Sequence, residues 1–84
     1  FPGIDFRPTP TGRQPHVTGT GLTVWEMHRV WLDHGKKPGA VRKNFPDWSE
    51  ARVMAGVDYA RAHPSEMPPR PALPPWVRQV TLGL

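Results

Sequence analysis

Apolar residues recur at helical spacing in the middle of the chain. Val24, Met27, Val30 and Trp31 repeat every three or four positions, which places them on one face of an α-helix. Thr23 stands just before them, with Glu26 three residues on. That pair is a capping box, in which each side chain satisfies an orphan backbone N–H. Gly35 offers the left-handed conformation that ends a helix. The pattern predicts a first helix over 24–34. A short second helix fits 38–44, with Pro38 at its first position, where a missing N–H is no loss. Val41 and Phe45 point inward, Arg42 and Lys43 outward. Asn44 and Pro46 stop it, since a residue before proline is pushed out of the α region. A third helix opens at Ser49, with Asp47 as a rival cap. Its stripe is Val53, Val57 and Ala60, widened by Met54 and Tyr59. Pro64 closes it after His63. Glu50 and Arg61 sit at the ends that the helix dipole favours for their charges.

The flanks follow other rules. Pro8, Pro10 and Pro15 forbid a helix interior in residues 1–22, and Gly12 and Gly19 mark turns. Short strands are expected near 4–7 and 15–18. An isolated hairpin is marginal in water, so a second subunit would support it. Prolines crowd residues 64–75 and read as a polyproline II arm. Trp76 to Leu84 alternates loosely, as a docking strand would. The chain thus divides into N-terminal dimerisation strands (1–22), a three-helix domain (23–63) and a Pro-rich C-terminal arm (64–84).

Composition narrows the function classes. At 84 residues the chain is one small domain, and domains this small are short of core. It has no cysteine, which excludes a disulfide staple and leaves oligomerisation as the expected substitute. The lack of cysteine also fits a reducing compartment, and a cytoplasmic location is expected. No apolar run nears the ~18 residues that would span a membrane. The formal charge of +4 points to an anionic partner, nucleic acid first. Lys36, Lys37, Arg42 and Lys43 cluster with no acid among them, whereas the acids are scattered singly. His28 and His34 miss the i, i+4 spacing of helical zinc ligands, and His16 and His63 lie far off. Gly19-Thr20-Gly21 lacks the lysine and the spacing of a phosphate loop. Neither a metal, a cofactor nor a catalytic centre is expected. Asp33, Asp47 and Asp58 read as solvated or capping residues.

Two helices joined by Phe45-Pro46-Asp47-Trp48 suggest a helix-turn-helix, whose second helix enters the major groove. In that reading Arg52 meets a guanine edge, because its planar fork matches O6 and N7. Ser49 lies beside it at the start of the helix. Lys36, Lys37, Arg42 and Lys43 neutralise phosphates, with Arg29 and Arg61 as lesser contributors. Trp25, Trp31 and Trp48 are expected in the core, Trp48 locking the angle between helices two and three. Trp76, with Leu73 and Val80, reads as a partner-binding anchor in the arm.

Several spaced residues resemble a known family. Gly12, Pro15, Val17, Gly19, Thr20, Leu22 and Val24, then Gly35, Phe45-Pro46, Ser49, Gly56 and Tyr59-Ala60, are similar to the pattern of domain of unknown function 433 over about Pro15 to Glu66. Gly56 stands where that family usually has alanine. The resemblance implies a homeodomain-like helix-turn-helix and an antitoxin-type role: a homodimer that binds its own operator in double-stranded DNA and neutralises a PIN-like ribonuclease toxin. The expected fold is therefore mainly α, a three-helix homeodomain-like core with a short N-terminal β-ribbon and an extended Pro-rich arm. The rival reading is a protein–protein interaction module that sequesters a partner without touching DNA.

Overall fold

The computed structural model describes residues 2–10, 12–67 and 77. Strands β1 (Ile4–Thr9) and β2 (Gly12–Val17) form an antiparallel hairpin, followed by α1 (Val24–Asp33), α2 (Pro38–Asn44) and α3 (Glu50–Ala62). A single 3-10 turn, Pro64–Glu66, continues from α3.

The helices begin and end where local chemistry directs. Thr23 Oγ1 accepts from the Glu26 N–H at 3.1 Å, and Glu26 Oε1 accepts from the Thr23 N–H at 2.8 Å. Such a cap is worth about 1 kcal/mol. Gly35 (φ +70) and Lys36 (φ +62) both turn left-handed after α1, and the Lys36 N–H reaches back to the Trp31 carbonyl at 2.9 Å. Ser49 caps α3 by accepting from the Arg52 N–H at 3.2 Å.

The hairpin register is organised around its prolines. Ile4 pairs with Val17, Phe6 with Pro15 and Pro8 with Arg13. In an antiparallel ladder, hydrogen-bonded and non-bonded pairs alternate. The Thr18 N–H donates to the Gly3 carbonyl, and the Val17 N–H turns outward to the Leu22 carbonyl. Pro8 and Pro15 therefore occupy non-bonded pairs, where a missing N–H leaves no gap in the ladder.

The mainly α expectation is corrected here. The protein combines three helices with a two-stranded hairpin, and the hairpin is part of the core. Val17 is fully buried in one cluster with Leu22, Val24, Met27, Val30, Val41, Val53 and Val57. The homeodomain-like three-helix core fails as a description because the helices do not close their own interior; β2 does. Of the expected extended C-terminal arm, only 64–67 and 77 are among the described residues. Pro64–Glu66 is a 3-10 turn, and Val77 is helical in backbone and fully buried in the same cluster.

Gly56 is the point of closest approach. A Cβ there would lie 2.5 Å from Val17 Cγ2 and 2.9 Å from Met27 Cβ, nearer than atoms can sit. Its absence lets α3 meet both α1 and β2. The hairpin thus has its support within its own chain, where Pro15 and Val17 are buried.

Gly56→Ala should therefore destabilise the protein. Alanine gains about 1 kcal/mol of helix propensity, but overpacking costs about 1–3 kcal/mol, and here two rigid neighbours must both move. The urea midpoint should fall, and Val17→Ala in the same chain should restore part of the loss. A raised midpoint for Gly56→Ala alone would show that the contact yields freely.

Candidate nucleic-acid interface

The basic segment begins where α1 stops. Lys36 adopts a left-handed backbone, which costs a residue with a Cβ about 1–2 kcal/mol. The bend sends the chain straight into α2. Lys37 is the N-cap of α2, with no side-chain capping bond, and Pro38 follows at its first position. Lys36, Lys37, Arg42 and Lys43 are all exposed.

Three contacts hold α2 in place. His34 Nδ1 lies 2.7 Å from the Val30 carbonyl, which can only accept, so this nitrogen carries the proton. Nε2 is then the acceptor for the Asn44 amide at 2.8 Å. Across the α2–α3 turn the Phe45 and Trp48 rings stack 4.2 Å apart at 8°, an arrangement worth about 0.5–1.5 kcal/mol beyond its buried area. Arg42 Nε donates to the Trp48 carbonyl at 3.0 Å. Arg42 thus has a structural task as well as an exposed charge.

The expected site residues fall into two groups. Lys36, Lys37 and Lys43 make no ion pair and no side-chain hydrogen bond among the described residues. Arg42, Ser49 and Arg52 are tied to the fold: Arg42 to the α2–α3 turn, Ser49 to the first turn of α3, Arg52 to Gly19. The Arg52 guanidinium lies over that glycine so closely that a Cβ there would be 3.0 Å from Arg52 Cζ. Sequence reasoning missed this contact because it joins residues far apart in the chain; the only sequence signal was the glycine pair at 19 and 21. Leu73, Trp76 and Val80, the expected partner-binding anchor, lie outside the described residues.

The remaining charges show a contrast. Arg7 holds Asp5 at 2.7 Å and Arg29 holds Asp33 at 3.3 Å. Asp5 is kept below the usual carboxylate range chiefly by its hydrogen bond from Arg7. Asp47 and Glu50 border the basic segment at the start of α3, both exposed. Arg61 lies 5.8 Å from the Trp31 ring centre, and the His28 ring stacks on the same indole at 5.7 Å. Among the described residues no group of His, Asp and Glu side chains is placed to hold a metal ion, and no helix is long and apolar enough to cross a membrane.

Comparison with protein-family models, with curated proteins and with solved structures finds no match to this chain.

His28 gives the pH behaviour of this end of the bundle. Its burial, and then the charges of Arg61 and Lys36, lower its pKa from the ordinary 6.5. The unfolded chain takes up this proton before the folded chain does, so the His28 contribution is full above 6.5 and is lost as pH falls below it. The urea midpoint should fall between about pH 7.5 and 5.5, and His28→Gln should flatten that slope. An unaltered slope in the variant would assign the pH dependence to other groups.

Proposed function

We propose that this protein binds double-stranded DNA through the surface formed by the α1–α2 turn, α2 and the start of α3. One observation carries the reading. Lys36, Lys37, Arg42, Lys43 and Arg52 are exposed on neighbouring pieces of chain, and none is ion-paired among the described residues. Elsewhere in the molecule Arg7 and Arg29 each hold an acid, and Arg13 and Arg61 are single exposed cations, so the clustering of unpaired charge is what marks this surface. Cations left unpaired on a surface are available to displace the counterions of a polyanion. Lys36, Lys37 and Lys43 contact phosphates in this reading. Arg42 braces the α2–α3 turn while adding its charge, and Ser49 keeps the first turn of α3 rigid.

Asp47 and Glu50 work in the opposite sense. They repel phosphate at the start of α3 and hold down affinity for DNA of arbitrary sequence. That balance suits a regulator that must leave the wrong site. With the resemblance described above, the reading extends to an operator-binding homodimer, acting as the autorepressor or antitoxin of a two-gene module and neutralising a PIN-like ribonuclease toxin.

The first test is a gel-shift titration against the DNA upstream of its own gene, with random duplex as competitor, at two salt concentrations. A discrete shift that survives competitor and weakens with salt supports the reading. No shift at micromolar protein and low salt overturns it in favour of a partner-sequestering module. Lys43→Ala should weaken binding to every duplex and reduce the salt slope by about one. Glu50→Gln should tighten binding to random duplex, and unchanged affinity would place Glu50 off the interface.

A further inference from the structure

The turn between β2 and α1 has a chemistry of its own. Thr20 pins it from inside, its hydroxyl donating to the Val17 carbonyl at 2.8 Å and accepting from the Leu22 N–H at 3.1 Å. Its backbone N–H goes to the same Val17 carbonyl at 3.2 Å. Gly19 (φ +82) and Gly21 (φ +74) flank it, left-handed and exposed. Among the described residues neither glycine N–H makes a hydrogen bond. With the Thr20 N–H between them taken by Val17, the Gly19 and Gly21 amides are two separate backbone donors without a protein partner on this turn, and such donors suit an anion.

Arg52 completes it. Built on Gly19, a Cβ would lie 3.0 Å from Arg52 Cζ and 3.1 Å from Nη2, so the guanidinium rests directly on the turn. The Ser49 cap holds the backbone of Arg52 from the other side. Arg52 has no acidic partner among the described residues. The neighbouring acid, Asp5, accepts from the Thr18 hydroxyl at 3.0 Å and is neutralised by Arg7 at 2.7 Å. A guanidinium packed beside amides without protein partners favours an oxyanion such as phosphate, because charge-assisted N–H bonds to phosphate are about twice as strong as neutral ones.

We propose that the Thr18–Gly21 turn and Arg52 form a phosphate site, and that Arg52 is a phosphate clamp there and not a reader of base edges. A base edge lies on the floor of the groove and needs an arm extended away from the protein. This guanidinium is laid against the turn. The occupant is a phosphodiester of the duplex or free phosphate; the duplex arm rests on the DNA-binding reading above, and the free-phosphate arm does not.

The experiment follows the Gly19 and Gly21 amide resonances of the full ¹⁵N-labelled chain, first with inorganic phosphate and then with duplex. Binding of specific and random duplex is measured in parallel by fluorescence anisotropy. Saturable shifts at both glycines with phosphate, lost in Arg52→Gln, are expected. The same variant should lose equal fold affinity for specific and random duplex. Glycine amides that stay still with phosphate and with a duplex that binds by anisotropy would overturn the phosphate site while leaving DNA binding intact. A loss confined to the specific duplex would overturn the clamp and restore base reading. Shifts with phosphate but no duplex binding at all would support the site as one for free phosphate and overturn the DNA-binding reading. Because Arg52 is exposed, Arg52→Gln leaves the core untouched; Gly19→Ala, strained at its positive φ, is the second variant and should lose the phosphate shift at Gly21.

Discussion

The missing side chain at Gly56 is the constraint on which the rest of the structure depends. In a helix, glycine costs about 1 kcal/mol relative to alanine, and this one sits in the middle of α3. It earns its place by letting α3 touch Met27 of α1 and Val17 of β2 together. Interiors pack at the density of organic crystals, so a single methyl group at that point would displace a helix or a strand. Val17 is then fixed, and with it the turn that follows β2. That turn meets Arg52 on the same face of α3. One absent Cβ thus sets the spacing of the core and the position of a surface cation.

The helices were legible because their signals are local. Thr23 with Glu26, Pro38, Ser49 and Gly35 each act within one turn of chain, and each did in the structure what its chemistry directs. The role of Gly56 was hidden, because a helical glycine reads only as lost propensity until its neighbours are known. The hairpin was legible in outline, but its role in the core was not. Residues 1–22 show little alternation, and part of what binds β2 to the bundle, the close approach of α3 at Gly56, lies beyond residue 50. Val77 was hidden by its surroundings, since a proline-rich composition speaks for the whole segment and not for one valine within it.

The candidate interface divides along the same line. Charge clustering is a property of composition, so the lysines at 36, 37 and 43 could be picked out by eye. Which cations are free and which are engaged is a property of tertiary contact. Arg42 reaches a carbonyl six residues away, and Arg52 covers a glycine more than thirty positions before it in the chain. Neither contact leaves a mark in local spacing. Side chains tied down in this way lose less entropy on meeting a ligand, so the engaged arginines are better prepared for a geometrically defined contact than the free lysines are. The lysines supply long-range attraction, which salt screens over about 10 Å.

A two-stranded sheet has two open borders, each a template for further strands. Pro8 and Pro15 lie on those borders, where a neighbouring chain would look for an N–H and find a ring carbon. Leu22 and Thr23 close more of the β2 side by bonding to Val17 and bridging to His16. Each border of the ribbon thus lacks a donor that an incoming strand would need, which disfavours the extension of one copy's sheet by another's.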